Sequence, residues 1–317
     1  MKETSFQQLW QQLVPLYGAG EARALVRMLM ETQFGITLSD LLCYGTNQLD
    51  ETQQRRLNEM ICRLKASEPI QYVMGETLFC GRVFHVEPGV LIPRPETEML
   101  CRWVVDSSPL PSPKKRNPFP SCRRILDIGC GSGCIAITLA LEIEGAQVIA
   151  WDISPKALEV TQRNADLLGA RIVAEQRDIL AITQISGNGK ETEESACAPD
   201  DNEQAGYDII VSNPPYICRH EEGNMHPNVL QHEPHEALFV PDTDPLCFYS
   251  AIARFAADNL RPGGLLFFEC NAAYTQAVAH LLSASGFSDV TTREDDFGKT
   301  RFVKAQTIQK NLSDSSD

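Results

Sequence analysis

Leu126-Asp127-Ile128-Gly129-Cys130-Gly131-Ser132-Gly133-Cys134 closes an apolar strand candidate and opens a helical one. Its three glycines let the backbone turn tightly and let a ligand approach without a Cβ in the way. The same alternation repeats outward from this turn. Strand candidates fall at 125–128, 148–151, 172–174, 209–211, 265–268, 290–292 and 302–303, and helical stretches at about 133–143, 155–168, 246–259 and 273–285. Continuous apolar strands separated by helices predict a mostly parallel sheet covered on both faces, an α/β fold. The last two strands lack a helix-length connection, so the final one is expected to run antiparallel.

The rest of the chain divides by character. Residues 1–75 read as a helical bundle, with Phe6, Leu9, Trp10, Leu13 and Leu16 at helical spacing and Thr37 and Asp50 at helix starts. Residues 76–108 read as a hairpin and a connecting helix that begins at Pro95. A stretch with five prolines, 109–122, predicts a surface linker. The sheet domain then spans 123–306, and 307–317 form a polar tail. Within the domain, residues 183–206 carry six carboxylates against Lys190 and few apolar side chains, which predicts a flexible acidic insertion.

Composition narrows the class of function. The 317 residues are 43% hydrophobic and 22% charged, which excludes a wholly disordered or fibrous chain. A net charge of −14 and a pI near 4.9 argue against a protein whose main task is gripping phosphate backbones, so direct nucleic-acid binding is not expected. Eleven scattered cysteines read as reduced thiols in a cytosolic protein. No apolar run approaches the ~20 residues of a membrane span, and the N-terminus has neither signal-peptide nor transit-peptide character. A cytoplasmic location without a membrane partner is expected.

Four elements carry chemistry. Gly129, Gly131 and Gly133 form GxGxG rather than the GxGxxG of dinucleotide binders. Asp152 closes the next strand, nineteen residues past the last glycine, where a carboxylate can accept from both ribose hydroxyls of a nucleotide-like cofactor. A glycine turn led by an acid, with no phosphate to cradle, fits S-adenosylmethionine better than NAD. After the third strand, Asp178 suits either an adenine amino group or a solvent-facing loop, with Ile179 beside it. Val211-Ser212-Asn213-Pro214-Pro215-Tyr216 follows the fourth strand. There the Asn213 side-chain oxygen and the Pro214 carbonyl can accept both N–H bonds of a planar amino or amide group, the prolines stiffen the loop, and Tyr216 offers an aromatic wall. His226, His232 and His235 read as part of a polar loop, and no metal is expected.

Together with Ile92-Pro93-Arg94-Pro95-Glu96-Thr97-Glu98, Glu233-Pro234-His235-Glu236-Ala237-Leu238 and the stretch ending in Phe268-Glu269, these motifs resemble the release factor glutamine methyltransferases over nearly the whole chain. That resemblance implies a Rossmann-like class I methyltransferase sheet behind an N-terminal helical substrate-recognition domain. It implies methylation of the glutamine amide nitrogen in the Gly-Gly-Gln motif of peptide chain release factors 1 and 2, with S-adenosylmethionine as donor and S-adenosylhomocysteine as product. Cofactor contacts would fall on Asp127, Gly129, Cys130, Gly131, Ser132, Gly133, Asp152, Asp178, Ile179 and Asn213. Asn213, Pro214, Pro215 and Tyr216 would bind and activate the glutamine. Asn213 to Tyr216 alone also suit amino-group methyltransferases of DNA adenine or ribosomal RNA guanine. Cys130, Ile179 and Cys270-Asn271 depart from the family's usual residues.

Overall fold

The computed structural model describes residues 5–46, 48–108, 123–186 and 206–308. The proline-rich linker, most of the acidic insertion and most of the polar tail lie outside the described residues. Five helices come first: α1 (Phe6–Gln11), α2 (Val14–Phe34), α3 (Leu38–Tyr44), α4 (Glu51–Lys65) and α5 (Ile70–Met74). A hairpin, β1 (Glu76–Phe79) and β2 (Arg82–His85), leads to α6 (Pro95–Asp106). Strands and helices then alternate through β3 (Arg124–Ile128), α7 (Cys134–Glu142), β4 (Gln147–Asp152), α8 (Pro155–Leu168), β5 (Ile172–Gln176), α9 (Ile179–Ser186) and β6 (Tyr207–Ser212). Short elements follow: β7 (Ile217–Cys218), α10 (Pro227–His232) and β8 (Phe239–Val240), with 3₁₀ turns at Arg219–Asn224 and His235–Ala237. The chain closes with α11 (Cys247–Asn259), β9 (Leu260–Glu269), α12 (Thr275–Ala284), β10 (Ser288–Glu294) and β11 (Thr300–Gln306).

Contacts gather the chain into two compact units. One holds Met1–Thr77, Val86–Pro88 and Asn224–Glu233; the other holds Leu78–His85, Gly89–Gly223 and Pro234–Asp317. In the first, reciprocal caps start the helices: Ser5 with Gln8, Thr37 with Asp40, and Asp50 with Gln53. Each pair satisfies backbone donors that a helix start leaves unpaired. Leu13, Val26, Leu29, Met30 and Leu64 are fully buried in this unit's core. Leu16, read as part of the apolar stripe, is half exposed.

The second unit is built on a seven-stranded sheet of order β10-β11-β9-β6-β3-β4-β5. β3 pairs parallel with both β4 and β6, and β4 with β5 and β6 with β9 are also parallel. β11 runs antiparallel, as its short connection predicts, and it inserts between β9 and β10. Alternate residues along each strand feed opposite layers. Ile125, Val148, Ile209, Val211 and Phe267 pack with α6 and α7, and the Trp103 and Phe267 rings meet edge to face with centroids 5.5 Å apart. Leu126, Ile128, Ile210, Leu266 and Phe268 pack with α11 and α12 on the other face.

One correction concerns α9. It runs to Ser186, so residues 183–186, expected at the start of the insertion, are helical backbone. In the sequence α9 is hidden, because its eight residues are too short to show a clear period beside the polar run that follows.

Candidate active site

Strand order reverses at β3, since β4 and β5 lie on one side of it and β6 on the other. Open parallel sheets bind ligands at such a switch point, in the crevice beyond the strands' C-terminal ends. A cavity of about 410 Å³ occupies that position. Gly129, Cys130, Gly131, Ser132, Asp152, Asp178, Ile179, Asn213, Pro214 and Pro215 line it. Asp127, Gly133 and Tyr216, three of the residues expected in the site, do not.

The glycine turn owes its shape to backbone conformation. Gly129, Gly131 and Gly133 have φ of 77°, 57° and 79°, in the left-handed region that side chains avoid. The Gly129 and Cys130 amides both donate to the Trp151 carbonyl, at 2.8 and 3.0 Å. Thr161 donates to the Gly131 carbonyl at 3.0 Å, which leaves its oxygen to accept the Cys130 thiol at 3.4 Å. The cysteine substitution in the turn is therefore partnered, and burial pushes its thiol pKa up. Buried Asn164 accepts from the His85 amide and donates to the His85 and Ser132 carbonyls, tying β2 to the turn.

A Cβ at Gly133 would come within 2.9 Å of both Ile137 Cδ1 and Thr161 Cγ2, whereas one at Gly131 would meet open space. Gly133→Ala is expected to cost about 2–4 kcal/mol, strain and clash together, and Gly131→Ala only about 1–2 kcal/mol of strain. Thermal denaturation of the two variants checks this: equal midpoints would contradict it.

Asp152 holds the turn as well as facing the cavity. Its Oδ2 accepts from the Gly131 amide and its Oδ1 from the Ser154 amide, both at 2.9 Å. Each oxygen keeps acceptor capacity, which fits a pair of ribose hydroxyls. Burial raises this carboxyl's pKa, and the backbone hydrogen bonds oppose the rise. Ser154, not Asp152, caps α8, accepting from the Ala157 amide. Asp178 has a structural task too: its Oδ1 caps α9 through the Leu180 and Ala181 amides. Ile179 is buried and joins Ile153 in the cavity wall, so the planar group expected there meets aliphatic rather than aromatic surface.

Asp127 lies beneath the turn, wholly buried, with Oδ2 accepting from the Ala136 amide and Oδ1 without a partner among the described residues. Burial lifts its pKa to about 7.

On the other side of the switch point, Ser212 donates to the Ile128 carbonyl at 2.6 Å and fixes the end of β6. Asn213 Nδ2 donates to Thr97 Oγ1 at 3.2 Å, and Thr97 donates to Glu269 Oε2 at 2.7 Å. Tyr216 turns away from the cavity, packs on the core, and donates to Glu269 Oε1 at 3.4 Å. Its expected role as an aromatic wall is not what its packing gives; Leu91, Phe248 and Ile252 supply the apolar wall instead. Asn271 Nδ2 donates to the Tyr216 carbonyl and to Glu221, so this departure from the family pattern braces the same loop. Thr97 and Glu269 carry no role in the sequence analysis, since a motif shows which residues recur near a site but not which side chains meet.

Glu269 is fully buried and pushed up to about 7, chiefly by burial. An acid raised in the folded state binds extra protons between its ordinary range and about 7, so it lowers stability as pH rises through that window. Relative to the wild type, Glu269→Gln should therefore gain in melting temperature between pH 5 and pH 8. A constant difference across that range would contradict the shift.

Among the described residues, Cys218, His220 and Asp242 bring three ligand-type atoms within 4.8 Å, but His220 Nδ1 already pairs with Asp242 Oδ1 at 2.9 Å. His226 instead caps α10, and His232 meets the Ala66 carbonyl at 3.1 Å.

A mostly parallel sheet with a glycine turn after its first strand, an acid ending the second and an Asn-Pro-Pro loop after the fourth defines a Rossmann-like class I methyltransferase. Residues 121–280 match the family model described as methyltransferase domain, and residues 8–75 match that of the PrmC N-terminal domain. The chain is 41% identical to the release factor glutamine methyltransferase of Bacteroides thetaiotaomicron, over 93% of this chain and 96% of that one. It is 38% identical to the Flavobacterium psychrophilum protein of the same name, over 94% and 96%. A solved structure of a release factor-specific protein-(glutamine-N5) methyltransferase from Alicyclobacillus acidocaldarius aligns with 71% of this chain and 99% of its own, at 26% identity and a TM-score of 0.38. The chain belongs to the release factor glutamine methyltransferase family.

Proposed function

We propose that this chain methylates the side-chain amide nitrogen of the glutamine in the Gly-Gly-Gln motif of peptide chain release factors 1 and 2. S-adenosylmethionine is the donor; the S–CH₃ bond breaks as the N–CH₃ bond forms, one amide proton passes to solvent, and N5-methylglutamine and S-adenosylhomocysteine are the products. The observation that carries the reading is that Asn213 and Pro214 line the same cavity as Asp152 and the glycine turn, in a chain of this family.

S-adenosylmethionine supplies a methyl group on a positively charged sulfur. Asp152 would hold the ribose hydroxyls, Asp178 and Ile179 the adenine end, and Gly129, Cys130, Gly131 and Ser132 the close approach beside them. Asp127 and Gly133 support the turn from beneath. An amide nitrogen is a poor nucleophile because its lone pair is delocalised into the carbonyl. Asn213 Oδ1 and the Pro214 carbonyl, which comes without an N–H, would accept both amide hydrogens and shift density back onto nitrogen. Their fixed positions would also aim the nitrogen at the methyl for in-line displacement. Pro215 stiffens the loop, and Tyr216 supports it from the core side. The N-terminal helical domain, 1–75, would recognise the release factor, and the reaction would take place in the cytoplasm. Among the described residues, no helix is long and apolar enough to cross a membrane.

Tandem mass spectrometry of a release factor after incubation with the full chain and cofactor tests the assignment. One added methyl on the glutamine of the Gly-Gly-Gln motif is expected, and a methyl at any other residue would contradict it.

A further inference from the structure

We infer that Thr97 and Glu269 form a buried positioning relay that keeps the Asn213 amide oxygen, rather than its NH₂, turned to the cavity, so that the site accepts a primary amide and rejects a carboxylate. The inference rests on the glutamine reading above and adds the device that enforces it. A threonine hydroxyl has one hydrogen, and Thr97 gives it to Glu269 Oε2 at 2.7 Å. The Thr97 oxygen can then only accept from Asn213, so the atom 3.2 Å away must be Nδ2. Oδ1 is left as the side-chain atom available to the cavity that Asn213 lines.

The relay is protected from water. Thr97 and Glu269 are 2% and 1% exposed, and three elements far apart in sequence bring it together: α6, the loop after β6, and the end of β9. The surroundings of Glu269 set its charge. Tyr216 donates to its second oxygen, Arg301 on β11 attracts it, Glu96 on α6 repels it, and Cys134, Tyr249 and Cys270 lie close enough to interact. Burial, reinforced by Glu96, outweighs the lowering by the Thr97 hydrogen bond, Arg301 and Tyr216 and brings the carboxyl to about 7. Ionised Glu269 is an acceptor and maintains the order. Protonated Glu269 presents a donor to Thr97 Oγ1, whose own hydrogen then points to Asn213 and turns the amide over. With NH₂ facing the cavity, the site no longer pairs two acceptors with two amide hydrogens.

The experiment compares full-length wild type, Thr97→Val, Thr97→Ser and Glu269→Gln, using a release factor as methyl acceptor. Thr97→Val should lower kcat about 10–100-fold, with KM and cofactor Kd within about threefold, because orientation and not binding is lost. Thr97→Ser, which keeps the hydroxyl, should recover most of that loss. Wild-type kcat should fall as pH drops below about 7, and Glu269→Gln should flatten that limb. A wild-type kcat in Thr97→Val, or an unchanged pH limb in Glu269→Gln, would overturn the relay.

A second readout needs no substrate. In protein labelled with ¹⁵N at asparagine, the Asn213 NH₂ resonance, assigned by its loss in Asn213→Asp, should shift between pH 6 and pH 8 in the wild type but not in Glu269→Gln. An NH₂ signal insensitive to pH in the wild type would also overturn the relay. If the release factor proves not to be methylated while this resonance titrates as described, the substrate reading fails and the relay stands.

Discussion

Asn213→Ala should lower kcat/KM for methyl transfer about 10²–10³-fold, the usual loss when one preorganised partner of the transition state is removed. The expectation follows from what the substrate amide needs. Density must move onto its nitrogen as the new N–C bond forms, so a hydrogen bond accepted from that NH₂ is worth more in the transition state than before it. Alanine removes the side-chain acceptor and leaves the Pro214 carbonyl alone. The fold should survive, because Asn213 is only partly buried and Ser212, which anchors the end of β6 to Ile128, is untouched. Cofactor affinity should stay within about threefold, since Asp152 and the glycine turn lie across the crevice on β3 and β4. Steady-state kinetics with calorimetric cofactor titration separates the two quantities. Undiminished transfer would remove Asn213 from the reaction.

Asp152→Ala should have the complementary signature, with cofactor Kd raised about 10²–10³-fold and transfer failing for want of bound donor. Charge-assisted hydrogen bonds contribute about 1.5–3 kcal/mol each, and two ribose hydroxyls would be lost together. The change also strips acceptors from the Gly131 and Ser154 amides, loosening the turn itself. Asp152→Asn should fall between, because an amide keeps one acceptor oxygen and sets its NH₂ against one of those two backbone donors. Isothermal titration of the three proteins gives the order. A Kd for Asp152→Ala within threefold of wild type would show that the carboxylate does not hold the cofactor.

Much of this frame is legible in the sequence, and the reasons are local. Glycines at alternate positions have few uses besides a tight turn with positive φ, and all three adopt it. Thr37, Asp50 and Ser154 cap the helices that follow them because side-chain acceptors placed there satisfy nearby amides. Seven apolar runs become seven strands of one sheet, the last antiparallel. What escapes a linear reading depends on distance along the chain. Thr97 and Glu269 are separated by 172 residues and meet only because α6 and β9 pack beside β6. Tyr216 follows the Asn-Pro-Pro turn directly, but which way its ring points is set by a buried carboxylate on another strand. Asp178 looks like a ligand or a loop acid in sequence and also caps a helix whose existence the sequence conceals. Asn271 reads as a departure from the family, and its contact with the Tyr216 carbonyl is invisible until the loop is folded against β9.

The proposed methyl acceptor is a glutamine amide on a release factor. The most direct test is side-by-side transfer from radiolabelled S-adenosylmethionine, catalysed by the full chain, to a release factor, to DNA and to ribosomal RNA. Label is expected in the release factor alone, and none when the glutamine of its Gly-Gly-Gln motif is replaced. Label in DNA or ribosomal RNA with none in the release factor would contradict it.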